Sequence, residues 1–76
     1  MAQKIIHDIK LGNNIRNLRN RCGLTQENVI AFLQLKGLNT SRSSYSQIEC
    51  GSYNIRVAEL AALKELFDVS YDDFFV

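Results

Sequence analysis

Seventy-six residues, 46% of them apolar and carrying a formal net charge of +1, suffice for one small domain with a modest core. That apolar fraction is too high for a disordered chain, and no apolar run approaches the roughly 18 residues that a membrane span requires. Cys22, Cys50 and the single histidine, His7, have no metal-ligand spacing and no activated nucleophile is legible, so no metal, cofactor or enzymatic activity is expected.

The charge is unevenly placed. Residues 1–56 hold eight of the nine Lys/Arg against Asp8, Glu27 and Glu49, a net of +5; residues 57–76 hold Lys64 against five acidic residues, a net of −4. A basic end suits a polyanion such as nucleic acid, and an acidic end suits solvent or a partner. The opening Met1–Asp8 is broken by charge too early for a signal peptide, so a cytoplasmic protein with reduced thiols is expected.

Five helices and no sheet are expected along the chain. Residues 1–10 read as an N-terminal arm or helix extension and 11–76 as the folded domain. Ile5, Ile6, Ile9 and Leu11 fit neither a helical nor a strand period, so Lys4–His7 is either an extended arm or runs into a helix capped by Asp8. The first helix carries Ile9 or Leu11, then Ile15 and Leu18 on its apolar face, and stops before Gly23. Thr25 caps the second, whose buried stripe is Val29, Ile30 and Leu33, widened by Phe32 and Leu35, and which ends at Lys36-Gly37. Leu38-Asn39-Thr40 connects to a third helix capped by Thr40 or Ser41 and closed at Cys50-Gly51. Asn54 is placed to cap a fourth, with Val57, Leu60, Ala61, Leu63 and Phe67 inward. Ser70 caps a last short helix, Tyr71–Phe75, with Asp72 and Asp73 at its positive end.

The third helix has the most distinctive composition. Tyr45 and Ile48, three apart, share one face. Arg42, Ser43, Ser46 and Gln47 fall on the other, leaving a polar face over a narrow apolar footing. An ordinary solvated helix also fits this pattern, and the residues alone do not separate the two readings.

The order of parts does. Leu18-Arg19, then Gly23-Leu24-Thr25-Gln26-Glu27, then Ser41-Arg42-Ser43-Ser44-Tyr45-Ser46-Gln47-Ile48-Glu49-Cys50-Gly51, then Leu60-Ala61-Ala62-Leu63 and Phe67 through Phe75 together resemble the lambda-repressor-like, or XRE-family, helix-turn-helix domain over about residues 11–75. The resemblance implies an all-α fold of five helices. It implies that helix three is a recognition helix lying in the DNA major groove, with Arg42, Ser43 and Gln47 at base-contacting positions. The chemistry agrees, because Arg pairs bidentately with guanine and Gln with adenine. It further implies phosphate contacts from Thr25, Gln26, Ser44, Ser46 and Arg56, and a structural salt bridge between Arg19 and Glu49.

One departure is conspicuous. Thr25 and Glu49 are 24 positions apart, about five more than the family pattern carries, and the surplus falls around Gln34–Thr40 where a turn of three or four residues is usual. The resulting expectation is a sequence-specific double-stranded DNA-binding transcriptional regulator, a repressor, acting as a homodimer on a pseudo-palindromic operator. The acidic C-terminal end, with Tyr71, Phe74, Phe75 and Val76, is the first candidate dimer surface, Phe74 itself being expected in the core, and the Ile5–Ile9 arm is the second. The rival expectation is a protein-interaction module of the same fold, such as an antitoxin whose main partner is a toxin.

Overall fold

A computed structural model describes residues 9–76. The alternatives for Lys4–His7, the Asp8 cap and most of the Ile5–Ile9 arm lie outside the described residues. Among the described residues there are four α-helices: α1 (Ile9–Arg21), α2 (Gln26–Leu35), α3 (Arg42–Cys50) and α4 (Val57–Phe67). They are followed by a single 3-10 turn at Tyr71–Phe74, so the fifth element is not an α-helix. No strand occurs among the described residues. No helix there is long and apolar enough to cross a membrane.

Helix starts follow side-chain chemistry. The Thr25 hydroxyl accepts from the Asn28 amide at 3.1 Å, and Asn28 Oδ1 accepts from the Thr25 amide at 3.0 Å, a reciprocal capping box. Ser41, not Thr40, caps α3 by accepting from the Ser44 amide at 3.0 Å. Arg56, not Asn54, is the N-cap residue of α4, and Glu59 reaches back to its amide at 2.9 Å.

Helix ends share one device. At α2, Leu38 N–H bonds Leu33 O at 3.0 Å and Gly37 N–H bonds Gln34 O at 3.0 Å, with Gly37 at φ +81°, a Schellman motif that needs the left-handed region. The same pair of bonds closes α4, but there Asp68, at φ +56°, fills the left-handed position.

The core draws Leu11, Ile15 and Leu18 from α1, Val29, Ile30 and Leu33 from α2, Tyr45 and Ile48 from α3, and Leu60, Ala62, Leu63 and Phe67 from α4. Ile55, in the loop before α4, and Phe74, in the 3-10 turn, complete it. Leu11 rather than Ile9 is the inward residue of the first turn, Ile9 being exposed. Leu35 does not widen the α2 stripe: it is 86% exposed, because it lies about 200° around the helix from Leu33. Val57, at the first position of α4, is also largely exposed.

Gly12 sits inside α1, not at a break. A Cβ there would stand 2.6 Å from the Glu49 carbonyl oxygen and 2.7 Å from that of Ile48. Only hydrogen lets α1 and α3 approach this closely, so Gly12 sets the distance at which the last turn of α3 rests on α1.

Candidate nucleic-acid interface

Tyr45, Ile48 and Glu49 turn inward from α3, which leaves its opposite side to solvent. Arg42, Ser43, Ser46 and Gln47, with Cys50 and Ser52 at the far end, line a shallow depression along that side. Arg42, Ser43 and Gln47 are exposed and Ser46 is half-buried. The Arg42 guanidinium is tied sideways, its Nη1 donating to Glu27 Oε2 of α2 at 2.7 Å. The Ser44 hydroxyl accepts from the Ser41 hydroxyl at 3.1 Å and so belongs to the cap of α3. Cys22 and Cys50 are both free and exposed.

Under this face lies a buried carboxylate. Glu49 accepts from Arg19 twice, Nε to Oε2 at 2.7 Å and Nη2 to Oε1 at 3.2 Å. Gln26 Nε2 donates to Oε1 at 3.1 Å, and Arg16 Nε stands 3.6 Å from the same oxygen. Arg19 Nη1 also donates to Leu24 O at 2.9 Å, in the turn before α2. One carboxylate on α3 thus gathers donors from α1 and α2. Burial alone would raise the Glu49 pKa; the bonds from Arg19 and Gln26 outweigh it and hold the carboxyl below its ordinary range. Arg19 is raised in turn, chiefly by its bond to Glu49. The buried Tyr45 hydroxyl feels the Glu49 charge but has no acceptor in bonding geometry. Burial, then that charge, pushes the phenol far above its usual value.

A second buried carboxylate stands where the chain enters α3. Thr40 Oγ1 donates to Glu59 Oε2 at 2.6 Å, and Arg56 Nη2 donates to the same oxygen at 3.2 Å. Thr40 and Glu59 are both essentially inaccessible, and Arg56 is part-exposed. Here too burial raises the carboxyl and the bonds from Arg56 and Thr40 more than reverse it. The lengthened connection, residues 36–41, is therefore pinned to the start of α4 just before α3 begins.

The sequence-derived contact residues fall into two groups. Arg42, Ser43 and Gln47 share the exposed face with Ser46. Thr25 and Gln26 stand at the start of α2 and Arg56 at the start of α4, outside that depression, and Gln26 and Arg56 are each partly committed to a buried glutamate. Sequence reasoning missed three partners. Arg16 lies three residues before Arg19 on one face of α1, a spacing that signals a shared contact. Glu59 stands at the third helical position after Arg56, which signals a capping box but not a bond to Thr40. Glu27 as a mate for Arg42 had no local signal, since fifteen positions and a connection separate them.

The helix-turn-helix domain family matches residues 10–74. The chain belongs to that family. The crystal structure of the restriction-modification controller protein C.AhdI from Aeromonas hydrophila is similar to this chain at 30% identity and a TM-score of 0.71, over 88% of this chain and 94% of that one. No curated protein matches the chain significantly. Family and fold together support a DNA-binding transcription regulator.

Proposed function

We propose that this helix-turn-helix protein is a sequence-specific reader of double-stranded DNA that places α3 in the major groove and represses transcription by occupying its operator. The observation that carries this reading is the division of α3 into a buried face of Tyr45, Ile48 and Glu49 and an exposed one of Arg42, Ser43, Ser46 and Gln47. Arg42, Ser43 and Gln47 read base edges. Thr25, Gln26, Ser44, Ser46 and Arg56 hold phosphates. Gln26 keeps a second amide N–H for this after Glu49 has taken one, and Thr25 keeps its hydroxyl proton after accepting from Asn28.

One module makes few phosphate contacts, so two copies bind a pseudo-palindrome with half-sites about one turn, roughly 34 Å, apart. Tyr71, Phe75 and Val76 are exposed at the C-terminal end and suit the contact between copies. Phe74 is fully buried, in the core as expected, and takes no part in that surface. Asn14 Nδ2 holds the segment to α1 through Phe74 O at 2.9 Å and Val76 O at 3.3 Å. The similarity to a restriction-modification controller favours a regulator of this kind over a toxin-bound module.

Selection from a random duplex pool tests the whole reading. The expected result is enrichment of two inverted half-sites one turn apart. Absence of enrichment, with a mobility shift insensitive to salt, would remove DNA as the ligand, because phosphate neutralisation makes such binding fall steeply as salt rises. A single enriched half-site would remove the dimer.

A further inference from the structure

Arg42 occupies the first position of α3, where the helix dipole disfavours a cation, so it contributes nothing there to helix stability. The compensating charge comes from α2. Glu27 lies in the first turn of that helix, and its carboxylate accepts from Arg42 Nη1 at 2.7 Å. Both side chains are about two-thirds exposed, Arg42 at 69% and Glu27 at 67%. An ion pair in such solvent adds little to stability. Its position at the rim of the polar α3 face makes it an acidic group where a polyanion is to dock.

We propose that Glu27 is a specificity-determining residue that acts through Arg42; this rests on the reading of α3 as the recognition helix. A guanidinium offers five N–H donors in a planar fork. Glu27 takes one from Nη1 and leaves the Nε/Nη2 edge to pair with guanine O6 and N7. Holding one corner fixes the plane of the fork before DNA arrives. The carboxylate also opposes the alternative use of Arg42. A free Arg42 can swing to any phosphate, and that contact is the same on every sequence. With Glu27 beside it, leaving the pair for a phosphate exposes an uncompensated anion to the DNA backbone. Glu27 thus lowers non-specific binding more than specific binding.

The test uses the operator selected by the wild-type chain, that operator with the Arg42-read base pair replaced, and a random duplex, each titrated across salt with Glu27→Ala, Glu27→Gln, Arg42→Ala and the Glu27→Ala/Arg42→Ala double variant. Glu27→Ala is expected to stay folded and unfold only slightly earlier, having lost an exposed ion pair and a favourable charge in the first turn of α2. It should bind random duplex about three- to tenfold more tightly at ~0.1 M salt, with a salt dependence steeper by about 0.9 per protomer, the value of one added phosphate contact. Operator preference should fall about tenfold, with the loss concentrated at the replaced base pair. Glu27→Gln, of the same length without the charge, should fall between, and it carries the test if the alanine variant does not fold. In the Arg42→Ala background, Glu27→Ala should change operator preference no further. An unchanged preference in both Glu27 variants, or an equal change with Arg42 absent, overturns the assignment while leaving α3 as the reader. A wild-type chain that enriches no duplex overturns both.

Discussion

The two ends of α3 are held by buried glutamates in different ways. Glu49, in its last turn, receives four donor atoms from Arg16, Arg19 and Gln26, on two other helices. Glu59, which steadies the approach to its first turn, is bound mostly by its own neighbour Arg56, three residues away. Its tie to the connection is the Thr40 hydroxyl. The C-terminal end is therefore a redundant crossing of regular helices, and the N-terminal end is reached by an irregular strap whose buried tie is the Thr40 hydroxyl, with Gln34 Nε2 to Thr40 O and the Lys36–Glu65 ion pair nearer the surface. Redundancy keeps the crossing rigid.

The largest expected loss is nonetheless at the Glu49 node, where a nearly inaccessible charge takes both bonds of its bidentate pair from one residue, Arg19. Arg19→Ala removes both bidentate bonds and leaves a nearly inaccessible carboxylate to Gln26 and the more distant Arg16. A loss of about 3–5 kcal/mol in denaturant unfolding is expected. A loss below about 1 kcal/mol would mean that Arg16 takes over, and the node would be redundant to the point of indifference. Gly12→Ala attacks the same crossing sterically. Its Cβ meets backbone rather than a movable side chain, so relaxation requires α1 and α3 to part. The expected cost is about 1–3 kcal/mol, with weaker operator binding at temperatures where the protein remains folded.

The two ends also differ in how legible they were. Arg19 and Glu49 sit on periodic helices, so a family pattern fixes their positions, and the caps Thr25, Ser41 and Ser70 and the stops Gly23, Gly37 and Gly51 follow from local chemistry. Thr40 sits in the inserted connection, which has no period to extrapolate. A threonine there reads as a cap or a turn, and only the folded path shows that it turns inward to a carboxylate nineteen positions later. Leu35 misled for a related reason. It is apolar and closes a largely apolar helix, yet its helical angle sends it to solvent. On α3 the exposed set was readable from spacing, whereas the Glu27 pairing across elements was not.

Thr40→Val tests the strap. It preserves shape and removes the hydroxyl, leaving Glu59 one donor short in a buried site, at an expected cost of about 1–3 kcal/mol. The diagnostic outcome is a loss of operator affinity larger than the destabilisation predicts at a temperature where the variant is fully folded. Affinity that merely tracks stability would show that the strap does not position α3. Acid acts on both carboxylates in the same direction. Glu49 and Glu59 both titrate lower in the folded protein than in the unfolded chain, so the unfolded chain takes up protons first as pH falls. Their stabilisation is complete above the ordinary glutamate value of 4.5 and is lost as pH drops through the lower folded values. Glu59→Gln and Glu49→Gln should each flatten that decline in a pH series of urea midpoints. A decline unaltered by both would place the acid sensitivity elsewhere.

The smallest expected effect provides the control for these comparisons. Asp68 is the one non-glycine residue with positive φ among the described residues, and it closes α4 where the other three helices use glycine. A left-handed conformation costs an L residue roughly 1–2 kcal/mol, less for aspartate than for most. Asp68→Gly should recover up to about 0.5–1 kcal/mol despite the added freedom of the unfolded chain. The site touches neither buried glutamate and lies away from Arg42, so operator affinity and preference should not move. If the glycine variant gains stability and also binds its operator more tightly, stability alone governs binding, and the losses in Thr40→Val lose their meaning as positioning. If it gains stability without any change in binding, a binding loss at either end of α3 reports where the helix is held.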